Sequence, residues 1–130
     1  MRKGLLIITV TVAFIILLSI VFLFNNSKED EKQSFNPTQY NWQENGKDGA
    51  YIVKIKSGNL PSAIKAKVST DDNCDPDSKG LSHCNVVVTL QNGKQIEFVM
   101  THNMMNYPCL ELNSSVNLSP FSKGYAKVKI

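Results

Sequence analysis

Apolar side chains fill the run LLIITVTVAFIILLSIVFLF from Leu5 to Phe24, uninterrupted by charge, proline or glycine, directly behind Arg2 and Lys3. As an α-helix such a run rises ~1.5 Å per residue and reaches ~30 Å, the thickness of a bilayer's hydrocarbon core. A cleaved signal peptide has an apolar core of only ~7–15 residues that ends at small side chains. This run leaves instead through Val21-Phe22-Leu23-Phe24 into Asn25-Asn26-Ser27, and no cysteine follows it to carry a lipid. The pattern predicts an uncleaved transmembrane signal anchor. Arg2 and Lys3 then stay in the cytoplasm and the chain beyond the helix lies outside. Thr9, Thr11 and Ser19 are the anchor's polar residues and none ionises, so it is expected to hold the protein rather than to conduct.

Residues 25–49 are polar and nearly devoid of aliphatic side chains, a tether whose Tyr40 and Trp42 could fold back onto the domain that follows. From Ala50 the period changes to two. Tyr51 to Lys56, Ile64 to Val68 and Ala126 to Ile130 each alternate apolar residues with lysines, one face buried and one wet. Asn85 to Leu90 and Lys94 to Met100 flank Gln91-Asn92-Gly93, the signature of a hairpin. A two-residue Asn92-Gly93 loop would set Val88 opposite Glu97. A three-residue loop with Gly93 left-handed sets Val86 opposite Phe98 and Val88 opposite Ile96, which buries one consistent face. The same register sets Cys84 opposite Met100 and His102 opposite Ser82, beside His83. Ser114 to Leu118 adds one further short strand. The predicted fold class is an N-terminal transmembrane helix plus a small all-β domain of five or so short strands, a barrel or sandwich of OB-like kind. The expected organisation is a cytoplasmic stub over 1–4, the anchor over 5–24, the tether over 25–49 and an extracytoplasmic β domain over 50–130.

Length and charge change this picture little: 130 residues at a formal charge of +3 leave one domain beyond the anchor. A domain of that size sits where a covalent staple helps, and a disulfide contributes roughly 2–4 kcal/mol. The three cysteines, Cys74, Cys84 and Cys109, all fall on the exterior side, where thiols oxidise. Cys74 and Cys84 enclose Asp75-Pro76-Asp77 and Gly80, a turn-forming stretch, and are the preferred pair; Cys84 with Cys109 is the next. The spacing fits neither a zinc ribbon nor a Cys-x-x-Cys redox motif.

Chemistry concentrates in Met100-Thr101-His102-Asn103-Met104-Met105-Asn106-Tyr107-Pro108-Cys109. Thioether, imidazole and thiolate are soft or borderline ligands that together favour copper, above all Cu(I). His102, Met104, Met105 and Cys109 form the candidate metal set; the alternative is that the methionines fill core gaps, Cys109 is bridged and His102 ends a strand. The acidic stretch Asp71 to Gly80 resembles a calcium loop but places Lys79 and Val86 where oxygen ligands belong. The pairs Lys54/Lys56, Lys65/Lys67 and Lys127/Lys129 each project to one side of a strand and would form a basic face if those strands were neighbours. Such a face suits lipid headgroups or wall polymers, or simply keeps the strands wet. Hydrolase elbows, zinc-protease helices and phosphate loops are missing from the sequence. A cysteine–histidine nucleophile, Cys109 with His83 or His102, would need an exposed thiol of lowered pKa. The function expected is noncatalytic binding or envelope assembly by a membrane-anchored extracytoplasmic β domain, with an envelope protein or wall polymer as partner and nucleic acid not expected. The alternative is a copper-binding protein or chaperone using the His102 to Cys109 loop.

Overall fold

In the computed structural model the backbone is described for residues 2–25 and 34–130, and side chains of the N-terminal helix for residues 9–20. The chain divides into two units, Met1–Ser34 and Phe35–Ile130. Helix α1 (Arg2–Asn25) belongs to the first. Its apolar side chains Phe14, Ile15 and Leu17 are exposed. Ser19 Oγ turns back on the helix and donates to the Ile15 carbonyl at 2.8 Å, satisfying a hydroxyl without water. Among the described residues no helix is long and apolar enough to cross a membrane. The two ends of the predicted anchor, residues 5–8 and 21–24, have side chains outside the described residues.

The second unit holds six strands: β1 (Ala50–Ser57), β2 (Ile64–Asp72), β3 (Ser82–Leu90), β4 (Gln95–His102), β5 (Ser115–Ser122) and β6 (Tyr125–Lys129). They close into a barrel in the order β1-β4-β3-β2-β5-β6, each neighbouring pair antiparallel. The all-β expectation holds. The OB-like form does not, because that fold is a five-stranded barrel and this one has six strands. The sixth arises from Ser115–Ser122, which extends past Leu118 and pairs with both β2 and β6. Pro120 lies near the end of β5, beside a register shift, where a lost ladder donor is tolerated.

The β3–β4 hairpin uses the three-residue loop. Val86 faces Phe98 and Val88 faces Ile96. Gly93 takes φ 82° and its N–H donates to the Leu90 carbonyl at 2.9 Å, a conformation that would strain any side chain. Alternate residues of every strand then point inward. Val53, Val68, Val86, Val88, Ile96, Phe98, Val116, Leu118 and Val128 fill the interior. Burying each such side chain contributes roughly 1.5–3 kcal/mol, which is what sets the register.

Residues 35–49, tether in the sequence pattern, lie within the second unit. Phe35 packs edge-on against Tyr40, Trp42, Phe121 and Tyr125, with ring centroids 4.9 to 6.3 Å away. Asn45 is buried and acts as a wedge between β1 and β4: its Nδ2 donates to the Ile52 and Thr101 carbonyls at 2.9 and 2.8 Å, and its Oδ1 accepts from Ile52 N at 2.7 Å. A side-chain amide thus replaces ladder bonds where the two strands part. Gly46 follows at φ +114°, and a Cβ there would lie 2.6 Å from Tyr107 Cβ, so glycine is required.

Barrel closure also settles the lysine pairs in part. β6 lies beside β1, with Ile52 opposite Lys127 and Ala50 opposite Lys129. β2 is separated from β6 by β5, where Asn117 stands between Lys65 and Lys129. The basic residues therefore share one side of the barrel with the neutral Ser115, Asn117 and Ser119 between them. A closed barrel has no edge to protect, so discouraging edge pairing does not account for them.

Candidate functional site

β3 and β4 end together, with Ser82 opposite His102. Their inward residues there are Ser82, Cys84, Met100 and His102, all buried; their outward residues are His83, Asn85, Val99 and Thr101. Each face carries one histidine and a different chemistry.

On the inner face Cys74 and Cys84 form the disulfide favoured by the sequence, across a separation of 10 residues. Cys109 is a free thiol, half-buried. The three sulfurs lie within 4.8 Å of one another. His102 Nε2 stands 3.8 Å from Cys109 Sγ, and its ring meets Tyr51 edge-on at 5.7 Å. Tyr51 in turn donates its hydroxyl to the Pro108 carbonyl at 2.6 Å, which fixes the loop that carries Cys109. Asp71, from β2, places Oδ1 3.1 Å from Cys74 Sγ. Two polar atoms of this cluster, His102 Nδ1 and Asp71 Oδ2, are buried without a hydrogen-bond partner.

Burial governs the electrostatics. It pushes the His102 imidazole below its ordinary 6.5, favouring the neutral ring, although the neighbouring Met100 backbone opposes this. It pushes the Cys109 thiol up, and the nearby Asp71 charge adds to the effect. Asp71 itself is raised by burial and by Asp72, against a backbone bond from Leu110. Tyr51 is raised by burial first and then by Cys109, Asp71 and Tyr107. A raised thiol is the opposite of an activated nucleophile. The cysteine–histidine pair conceived from sequence is assembled with His102, not His83, and it lacks the lowered pKa that hydrolytic chemistry requires.

The four predicted metal ligands are divided. His102 and Cys109 come together, while Met104 is 43 % and Met105 95 % exposed on the loop between β4 and β5. Cys74 and Cys84 occupy the positions beside Cys109 instead. For metal–sulfur bonds of ~2.3 Å, tetrahedral ligands stand ~3.8 Å apart, so three reduced thiols would be near the spacing a soft cation needs, with His102 approaching only Cys109. The parity of the hairpin register was the available signal: Cys84, Met100 and His102 share one face. Asp71 carried no such signal, because a register shift between Val68 and Thr70 turns it inward.

On the outer face His83 bridges two elements, its Nδ1 2.9 Å from Thr101 Oγ1 and its Nε2 2.9 Å from Asp77 Oδ2. Asp77 Oδ1 accepts from the backbone of Lys79 and Leu81 at 2.8 and 3.0 Å. The His83 bond and these backbone bonds hold the Asp77 carboxyl below the usual carboxylate range. The acidic turn thus engages Asp77 with its own backbone and with His83. Beside it opens a groove of about 520 Å³ walled by Trp42 and Tyr125, with Lys54, Lys79, His83 and Thr101 converging on it. Gln43 ties the two faces together: its Nε2 donates to the Lys79 carbonyl at 3.0 Å, and its Oε1 accepts from Asn103 Nδ2 at 2.7 Å.

No protein-family model, curated protein or solved structure matches this chain.

Proposed function

We propose that this is a single-pass membrane protein, cytoplasmic at its N-terminus, whose extracytoplasmic β-barrel binds an anionic wall polymer without catalysis. The uninterrupted apolar run from Leu5 to Phe24 and the helical backbone of Arg2–Asn25 support the anchor. A disulfide in the barrel agrees with an oxidising exterior. The observation that carries the binding role is the groove between Trp42 and Tyr125. Aromatic walls, two lysines, and ordered imidazole and hydroxyl groups suit a polymer that offers both ring faces and negative charge. The lysines on β1, β2 and β6 extend positive potential across another stretch of barrel surface.

Trp42 is the single tryptophan of the chain and reports on that groove directly. Titrating soluble wall-polymer fragments into the detergent-solubilised protein should change Trp42 emission saturably, and Tyr125→Ala should abolish the response. An emission spectrum indifferent to every fragment would refute this use of the groove. For the anchor, the full chain should resist alkaline extraction from membranes while externally added protease removes the barrel. Release into the aqueous phase would defeat that part.

A second reading, binding of Cu(I) by the His102 to Cys109 loop, is favoured by the 3.8 Å approach of His102 Nε2 to Cys109 Sγ. Stoichiometric Cu(I) uptake that is lost in His102→Ala would establish it, and uptake unchanged by that substitution would dismiss it.

A further inference from the structure

We propose that Cys109 exchanges with the Cys74–Cys84 disulfide, so that the barrel carries one disulfide shared among three cysteines and moved between two loops. A buried thiol with inert neighbours has nothing to react with. Cys109 is different, because its sulfur and both sulfurs of a disulfide lie within 4.8 Å of one another. Thiol–disulfide exchange needs only a thiolate within reach of a disulfide sulfur. The three cysteines come from three separate places: Cys84 is fixed inside β3, whereas Cys74 and Cys109 lie in the loops that follow β2 and β4. The fixed sulfur is the natural centre, and the two loop sulfurs compete for it.

The step balances without an outside oxidant or reductant. Cys109, only half-buried, loses its proton to water, and the thiolate attacks Cys84 Sγ. The Cys84–Cys109 bond forms as the Cys74–Cys84 bond breaks. Cys74 leaves as a thiolate and takes up a proton from water. One disulfide and one thiol are present before and after.

The two isomers fasten different loops. Cys74–Cys84 fastens the β2–β3 loop, which carries Asp77 and Lys79 of the groove wall. Cys84–Cys109 would fasten the β4–β5 loop and free that wall. Exchange would therefore regulate the groove, a consequence that rests on the binding reading above, whereas the exchange itself does not.

The test is a disulfide map of the full chain in detergent micelles with a metal chelator, and it needs no ligand. The protein is equilibrated with a glutathione couple, quenched in acid, labelled with N-ethylmaleimide at acidic pH in denaturant, and digested. The expected result is label on both Cys74 and Cys109, with Cys74–Cys84 and Cys84–Cys109 peptide pairs recovered together. Label confined to Cys109 overturns the proposal. Cys74→Ser supplies an independent arm: glutathione disulfide should oxidise it to a Cys84–Cys109 bridge, and two maleimide-reactive thiols in the folded variant would equally overturn it. If that variant does not fold, the wild-type map decides.

Discussion

The two histidines of this chain sit at the same end of one hairpin and live in different solvents. His83 faces outward, with both ring nitrogens engaged by Thr101 and Asp77. His102 faces inward, fully buried, with Nδ1 unpartnered and Nε2 beside a thiol. Opposite parity in the strands is the whole difference. The pleat sends one residue into a sulfur cluster in the barrel interior and the other to a polar groove walled by aromatic rings. The comparison teaches that strand parity alone decides which histidine joins the buried sulfurs and which joins the solvent-facing groove, so the proposed exchange and the proposed binding fall on opposite faces.

Substitutions on the two faces should separate accordingly in urea unfolding of the micelle-held protein. Phe98→Ala, inward at the hairpin's centre, should cost ~3–5 kcal/mol, whereas Val99→Ala beside it should cost below ~1.5 kcal/mol. Equal losses would mean the faces are not distinct. Next in size is Asn45→Ala, which removes the side-chain hydrogen bonds to Ile52 of β1, Thr101 of β4 and Tyr40, and strands the Ile52 N–H; we expect a loss of ~2–4 kcal/mol. The double variant Cys74→Ser/Cys109→Ser, which can form no disulfide, should lose ~2–3 kcal/mol relative to the wild type. His83→Gln should move stability by less than ~0.5 kcal/mol but weaken the Trp42 emission response to wall-polymer fragments. A large stability loss in that last variant would erase the proposed division of labour.

Much of the barrel was legible because two-residue periodicity is a strong signal when one face is buried. The three-residue turn and the His102–Ser82 register follow from it, while the Cys74–Cys84 bridge was legible from the short turn-forming loop it closes. The return of Tyr40 and Trp42 to the domain was legible in outline, but Phe35 was not, since it carries no period and owes its place to ring packing with Phe121 and Tyr125, with Tyr40 and Trp42 then packing against it. Of the candidate metal loop, the fold brings His102 and Cys109 together and leaves Met104 and Met105 apart from them. Neighbouring residues in a sequence need not converge, and the β4–β5 loop turns Met105 into solvent while Tyr51 and Pro108 hold Cys109 inside. What brings Cys74 to Cys109 is tertiary, and spacing alone does not show it.

The central claim is that His102 is a neutral imidazole sealed beside Cys109 and Tyr51, with Asp71 close to the same thiol. Burial depresses its folded pKa, so the unfolded chain takes up the proton first. Its contribution to stability is full above the ordinary 6.5 and falls as pH drops through 6.5 toward the folded value. Following the ring protons by NMR, with His83→Gln to assign the two histidines, measures this directly. The account predicts a His102 midpoint below 6.5; a midpoint at or above 6.5 would contradict it.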